Sequence, residues 1–155
     1  MLQIARKRIA QSVADTAAQI TIKTGLVSGL QAWQIKQVDF QLESTFVMTW
    51  ANADISAKLV LRRGAPDGTL YSPNNKRHIA SMDVAQEAQA ASSNVYVPVQ
   101  QTWRPPAGFL VADEEIGLQL VTQGTGAVNV GYVVIFYDIV AISLQERNLA
   151  CAWRL

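Results

Sequence analysis

The chain has 155 residues, of which 50% are hydrophobic and 16% are charged, with a formal net charge of +1 at pH 7. A single cysteine excludes an internal disulfide and a cysteine-based zinc cluster, and the near-zero net charge excludes the global basic field of a dedicated nucleic-acid binder. Soluble domains are roughly 25% charged, so the low charged fraction predicts that neighbouring subunits cover part of the surface. A monomer with a surface rich in neutral polar side chains fits the same composition. We expect no signal peptide and no membrane span, because no apolar run approaches roughly 20 residues.

Residues 1–18 form an alanine-rich segment whose apolar side chains recur at helical spacing. This periodicity predicts a short amphipathic helix or a partly ordered arm. Three cations lie within it, namely Arg6, Lys7 and Arg8. On a helix they could contact nucleic acid or anionic lipid, weakly in one copy and more usefully in many. A solvated helix face explains the same charges equally well.

Residues 19–142 alternate between apolar and polar side chains, which predicts a β domain of about eight strands in a two-sheet antiparallel sandwich. Within one strand, Trp33 and Ile35 alternate in one phase and Val38 and Phe40 in the other. A β-bulge near Lys36 and Gln37 would bring both sets to the same face. The sequence Ala65-Pro66-Asp67-Gly68 predicts a turn.

The last strand of this domain, over residues 128–140, is apolar in both phases of the alternation. Such a strand is expected at the centre of a sheet, or with its outer face covered by another element. After it, Ser143 and Glu146 form a capping box that begins a C-terminal helix. The expected division is therefore an N-terminal amphipathic arm or helix (1–18), a β-sandwich domain (19–142) and a C-terminal helical tail (143–155).

The tail helix is too short to be stable alone in water, so it must dock on something. We expect it to pack on a neighbouring subunit, with a tryptophan as the anchor, since aromatic residues dominate interface hot spots. The alternative is that the tail folds back over its own sandwich. The apolar residues assigned to this contact are Leu144, Leu149, Trp153 and Leu155.

The chain resembles the single jelly-roll capsid proteins of small icosahedral viruses in three features. These are a short basic N-terminal segment, about eight strands, and an apolar last strand over Gly131–Tyr137. The resemblance implies two four-stranded antiparallel sheets and many copies in a closed shell within a virion. Its implied partners are copies of the chain and other virion proteins. Arms that package RNA by charge are often far more basic than this one.

No residue pattern in the chain indicates an enzyme, a cofactor site, a metal site or a small-molecule substrate. His78 is the sole histidine and lacks a recognisable nucleophile, so a surface loop position is expected. Adjacent strand residues point to opposite faces, which makes Asp113-Glu114-Glu115 a poor glycosidase pair. A solvated acidic turn is expected there, or a contact with a cation or a neighbour's basic patch. Gly124-Thr125-Gly126 lacks the lysine of a phosphate-binding loop.

Two functions from different classes fit these observations. The first is a structural subunit that self-assembles into a viral capsid or similar protein shell. The second is a β-sandwich carbohydrate-binding or fibre-head module that stacks sugars on exposed aromatic rings. Its aromatic set is Trp33, Trp50, Tyr71, Tyr96, Trp103 and Trp153. The alternating pattern places Trp33 in the core, whereas Trp50 and Trp103 lie near strand ends, where a platform could be exposed.

Overall fold

A computed structural model describes residues 1–43, 47–49, 55–69, 75–86, 94–96, 100–124 and 128–155. The described part is built of antiparallel strands followed by one short α-helix and a 3-10 turn. The strands are β1 (Gln3–Ala10), β2 (Ala17–Lys23), β3 (Gln31–Leu42), β4 (Val47–Thr49), β5 (Ile55–Arg63), β6 (His78–Gln86), β7 (Asn94–Tyr96), β8 (Gln100–Trp103), β9 (Leu110–Val111), β10 (Glu115–Gln123) and β11 (Val130–Ala141). The tail contains α1 (Leu144–Ala150) and the 3-10 turn Ala152–Arg154.

Two sheets pack face to face. Sheet A has the strand order β1-β11-β3-β8, with β9 also paired to β3, and sheet B has the order β2-β10-β5-β6. Strands β4 and β7 form a separate two-stranded ribbon. Leaving out that ribbon and the two-residue β9, the first of eight strands pairs with the last, the second with the seventh, the third with the sixth and the fourth with the fifth. This nested pairing, in which a long hairpin rolls into two sheets, is the jelly roll. The expected all-β sandwich is confirmed.

Strand β3 contains the expected bulge. Gln37 pairs with Phe136 and Ile35 pairs with Tyr137, so Lys36 is one extra residue on the β3 side. The extra residue changes the phase of alternation, which brings Trp33 and Val38 to the same inner face although their spacing is odd. Both side chains are at most 1% exposed. The bulge therefore keeps one long strand apolar towards the core along its whole length.

Strand β11 lies at the centre of sheet A, between β1 and β3. On its inner face, Val133 and Ile135 are fully buried in the core between the sheets. On its outer face, Tyr132, Val134 and Phe136 are half-buried. The central position predicted from its two apolar phases is therefore confirmed.

The expectation of an N-terminal helix is wrong, because Gln3–Ala10 is a β-strand. It pairs with β11 from Gln3 opposite Tyr137 to Ala10 opposite Val130. Apolar residues four apart, such as Ala5 and Ile9, fit the period of a strand as well as that of a helix. Burial of Ile9 and the hydrogen bonds to β11 decide the outcome, since tertiary context overrides weak helix propensity.

The C-terminal tail begins as predicted. Strand β11 ends at Ala141, and the Ser143 hydroxyl accepts a hydrogen bond from the Glu146 amide at 3.2 Å. The Ser143 amide in turn donates to the Glu146 carboxylate at 2.7 Å. This complete capping box stabilises a helix of only 7 residues. In the described part of the chain, no helix has the length and apolar character needed to cross a membrane.

Candidate functional site

The three N-terminal cations lie on β1, an edge strand of sheet A. Because side chains alternate along a strand, Arg6 and Arg8 project from the outer face of the sheet. Lys7 projects to the other side, the side on which Ile9 is buried. All three side chains are exposed. The structure therefore divides the charges between two faces, and charges on an edge strand also oppose unwanted strand pairing.

The outer face of sheet A carries three different stripes on adjacent strands. In one row across the sheet, Arg6 lies opposite Val134, which lies opposite Asp39. In the next row, Arg8 lies opposite Tyr132. Strand β1 is thus basic, β11 apolar and β3 polar to acidic on this face, which we call the striped face. Its rows are Arg8–Tyr132–Gln41, Arg6–Val134–Asp39 and Ile4–Phe136–Gln37.

The tail docks on its own sandwich through Trp153. The indole Nε1 donates to Asp113 Oδ1 at 3.1 Å, and the Arg77 guanidinium lies 4.7 Å from the ring centroid. The ring also packs over Gly64, where an added Cβ would come within 2.8 Å of it. The tryptophan that we expected to anchor a neighbouring subunit therefore anchors the tail within the chain.

Asp113 lies beneath the tail and is completely buried. Arg154 Nη2 is 3.1 Å from its Oδ1, and Arg63 Nη1 is 3.9 Å from its Oδ2. Burial lowers the pKa of Arg63, and the Asp113 carboxylate opposes that shift. The expected solvated acidic turn is therefore wrong at this position. The loops at this end of the sandwich and the tail remove Asp113 from water, and the basic groups around it belong to the same chain.

The other residues of this acidic run stay near solvent. Glu114 is exposed, and Glu115 forms a surface ion pair with Lys23 at 3.7 Å. A cavity of about 530 Å³ lies next to the run, between the β2–β3 loop, the loop after β5 and the tail. Two of the three arginines in its wall form ion pairs, Arg77 with Asp67 at 2.7 Å and Arg154 with Asp113 at 3.1 Å. The cavity wall is therefore polar and carries charges of both signs.

The same end of the sandwich exposes several large apolar side chains. The Ile142 amide donates to the Leu30 carbonyl at 2.9 Å, which brings the β2–β3 loop next to the start of the tail. Arg147 on α1 lies against Gly29 of that loop. We call the exposed apolar residues of these two segments the end surface. They are Val27, Leu30, Leu144, Leu149 and Leu155. Three of the four residues assigned to a subunit contact therefore remain exposed, and Trp153 is the exception.

The described tryptophans are engaged within the fold. Trp33 is buried, stacks on Tyr137 with 3.7 Å between centroids, and donates Nε1 to the Thr24 carbonyl, so its predicted core position is confirmed. Trp103 is half-buried and meets Phe109 edge to face. The remaining candidates for an aromatic platform, Trp50, Tyr71 and the Tyr96 side chain, lie outside the described residues.

His78 is not in a loop but begins strand β6, where it is half-buried. Its Nε2 lies 3.1 Å from the Ser81 hydroxyl. Desolvation lowers the pKa of His78, Lys58 acts in the same direction, and Asp83 opposes them. Among the residues with described positions, no group of three or more His, Cys, Asp or Glu side chains is placed to hold a metal ion. Of the glycine-rich turn at 124–126, only Gly124 belongs to the described part.

Comparisons with known proteins give no family. No family model and no curated protein matches the chain. Among solved structures, the chain is similar to a recombinantly expressed latent aurone synthase (polyphenol oxidase), at 13% identity and a TM-score of 0.41, over 84% of this chain and 25% of that one. A second such structure, co-crystallized with hexatungstotellurate(VI) and soaked in H2O2, has 13% identity and a TM-score of 0.32, over 91% of this chain and 25% of that one. The chain thus spans about a quarter of those proteins, and the jelly-roll assignment rests on its own strand order.

Proposed function

We propose that this chain is a structural, non-enzymatic subunit that self-assembles into a viral capsid or a similar closed shell. The observation that carries the proposal is the nested strand pairing from β1–β11 to β5–β6, since the jelly roll is a recurrent architecture of capsid subunits. Jelly rolls also occur in lectin domains, so the fold alone does not decide between a shell subunit and a binding module. The exposed residues must distinguish these two functions.

The surface favours association between copies. In the end surface, the Leu149 side chain is 71% exposed and that of Val27 is 94% exposed. The tail that carries Leu149 and the β2–β3 loop that carries Val27 lie next to each other at one end of the sandwich. Exposed apolar side chains gathered in one region indicate a contact site. The opposing module hypothesis needs an exposed aromatic platform, and the described tryptophans supply none. The partners proposed are therefore copies of the chain, other virion proteins and no small-molecule substrate, with a virion location.

Contact of Arg6, Lys7 and Arg8 with nucleic acid or lipid remains a secondary part of the proposal. Fixed on an edge strand and divided between two faces, these three charges give one copy only weak affinity for phosphates. Many copies around a shell would raise that affinity through multivalency. Replacing all three by Gln should lower the nucleic acid carried by particles while the subunits still fold. Equal nucleic-acid content in both particles would remove this contact from the proposal.

Electron microscopy and light scattering of the purified protein test the shell directly. We expect closed particles of uniform size rather than a species of 16.9 kDa. Leu149→Gln should reduce assembly, because it places a polar amide in the end surface. Val13→Gln is the matched control, since Val13 is also exposed but lies at the opposite end of the sandwich. A wild-type chain that stays monomeric at micromolar concentration would overturn the proposal and leave the binding module as the better hypothesis.

A further inference from the structure

We propose that the striped face of sheet A is a two-fold contact between two copies of this chain, with the axis along β11 and Arg6 of each copy paired with Asp39 of the other. The proposal deepens the shell function by naming one contact, and it rests on that function only in taking a second copy as the occupant. Its basis is the order of the stripes and the free hydrogen-bonding capacity of the two charged residues.

The charged residues of the striped face lack charged partners within the chain. Among the described residues, no ion pair joins Arg6 or Arg8 to a carboxylate, and both are exposed. Asp39 accepts two hydrogen bonds, from Gln37 Nε2 and Thr102 Oγ1, each at 2.8 Å. Both donors are neutral and both bond Oδ1, so Oδ2 has no partner in the described part of the chain. That oxygen is available to a cation from outside.

A further cation on this face, Arg104, does not neutralise Asp39. Arg104 Nε donates to Gln37 Oε1 at 3.1 Å, and no ion pair with Asp39 occurs in the part of the chain that the structure describes. The Gln37 side chain is thereby held with its amide nitrogen towards Asp39. This network orients the carboxylate and leaves its charge for an incoming guanidinium, which binds carboxylates through two parallel donors.

The order of the stripes selects one symmetry axis. Two faces related by a two-fold axis can oppose each other only if the axis lies in the plane between them. An axis running across the strands would place β1 over β1 and bring Arg6 and Arg8 against their own copies. An axis along β11 instead places β1 of one copy over β3 of the other and keeps every row in register. Because Arg6 and Asp39 flank Val134 in one row, the rotation brings the arginine over the carboxylate twice.

The apolar stripe supplies the centre of this contact. Under the same rotation, Tyr132, Val134 and Phe136 of each copy meet the same residues of the other. An isologous contact requires such self-complementarity. The arrangement of apolar centre and charged rim is that of stable protein interfaces, in which the rim charges set orientation more than affinity.

Charge-swapped variants test the pairing. Arg6→Asp should place two carboxylates against each other at both ends of the contact, and Asp39→Arg should do the same with two guanidinium groups. We expect each single variant to weaken dimerisation about tenfold or more, because like charges opposed in an interface are strongly unfavourable. The double variant R6D/D39R should restore the dimer. Mixing the two single variants should also form a heterodimer, since every opposed pair in it is then complementary.

The matched control for this experiment is Lys7→Asp, which makes the same change of charge on the same strand but on the other side. Dimerisation, measured by sedimentation velocity or native mass spectrometry, should not change in that variant. Circular dichroism and melting confirm that each variant is folded. If Lys7→Asp weakens the dimer as much as Arg6→Asp, or if neither R6D/D39R nor the mixture recovers, the pairing is wrong.

A disulfide cross-link tests the axis without altering charge. In a Cys151→Ser background, Val134→Cys lies on the axis and should form a disulfide with its own copy under mild oxidation. Ser81→Cys, which is half-buried on the outer face of sheet B, is the control and should stay unlinked. A Val134→Cys chain that remains monomeric under these conditions overturns the proposal.

The results of these experiments test the two-fold contact and the shell proposal independently. Particles that form normally while the charge swaps have no effect reject the contact and leave the shell proposal standing. A dimer that responds to the swaps but never builds particles rejects the shell and keeps the contact. Loss of bound nucleic acid in Arg6→Asp, with an unchanged dimer, rejects the contact in favour of nucleic acid on the striped face.

Discussion

Asp113 organises one end of the sandwich because it brings groups from three segments together. Trp153 and Arg154 reach it from the tail, Arg63 approaches it from the end of β5, and its own backbone carbonyl accepts a hydrogen bond from Thr24 at 2.8 Å. A fully buried carboxylate persists only where cations and donors compensate for the loss of water. The docked tail therefore supplies part of the charge and hydrogen bonding that stabilise the buried Asp113 carboxylate.

Asp113→Asn should destabilise the fold, because it leaves the surrounding arginines without the carboxylate that they face. Removing one partner of a buried ion pair costs about 3 to 5 kcal/mol, and we expect the lower end because Arg154 is half-exposed. Urea unfolding measures this change. Glu114→Gln, one residue away and exposed, should alter stability by less than about 0.5 kcal/mol. Equal effects of the two variants would contradict the role given to Asp113.

The ionisation of Asp67 should make the free energy of unfolding depend on pH in the acidic range. Hydrogen bonds from Arg62 and Thr69 hold the pKa of Asp67 well below its usual value of 3.8. A lowered carboxyl pKa contributes stability above its unfolded value, and that contribution is lost as the pH falls through the folded pKa. Asp67→Asn should therefore be less stable than the wild type at pH 7 and lose less on acidification below about pH 4.

Unfolding curves between pH 7 and pH 2 check the effect of Asp67. Its partner Arg62 is 1% exposed and lies 2.7 Å away, so the pair is anchored in the fold. Glu115→Gln is the control, because its surface pair with Lys23 at 3.7 Å contributes little. An Asp67→Asn curve parallel to that of the wild type at every pH would contradict the prediction.

At the scale of one element, the bulge in β3 could be predicted from the sequence, because the residues that indicate it lie close together in the chain. Trp33 and Ile35 change phase relative to Val38 within six residues, and only an inserted residue reconciles the two sets. The burial of Asp113 could not be predicted from the sequence. It depends on Trp153 of the tail, 40 positions later in the chain, so no pattern around the acidic run distinguishes Asp113 from Glu114.

Deleting Lys36 should disrupt the fold far more than replacing it. The deletion removes the extra residue, so either Trp33 or Val38 must turn from the core to the outer face. We expect loss of cooperative unfolding or an insoluble chain. Lys36→Ala keeps the residue count and removes only an ion pair with Asp138 at 3.7 Å and a hydrogen bond to Gln34 Oε1, both near the surface, so it should melt close to the wild type. A soluble deletion variant that melts normally would show that the bulge can move along the strand.

The tail gives a prediction that separates folding from assembly. Trp153→Ala should lower the stability of the subunit by about 2 to 3 kcal/mol, less than for a fully buried aromatic, because Trp153 packs on Gly64 and Asp113 of its own chain. Leu149→Gln should leave stability unchanged and reduce assembly, since Leu149 is exposed. Thermal melts and light scattering on both variants measure the two effects. Normal melting with lost assembly in Trp153→Ala would show that the tail docks on a neighbour instead.

At the scale of the whole molecule, the jelly roll joins the two ends of the chain. Alternation along the sequence predicted a sandwich and a central last strand, because both are properties of local stretches. It did not predict that residues 3–10 form a strand, since the residues of the partner strand lie 120 to 134 positions away. A short alanine-rich stretch with little side-chain preference takes whichever structure the distant partner stabilises.

Removing residues 1–10 therefore tests whether the N-terminus is a strand or an arm. As a strand, β1 covers one edge of β11, and its loss would expose an unpaired, largely apolar edge that invites pairing with other chains. We expect the truncated chain to aggregate, with a lower soluble fraction and a broad thermal transition. Replacing Arg6, Lys7 and Arg8 together by Gln is the control, because it changes the charge and keeps the strand. If the truncated chain stays soluble and melts cooperatively at the wild-type temperature, β1 is dispensable and the pairing of the first strand with the last contributes nothing to stability.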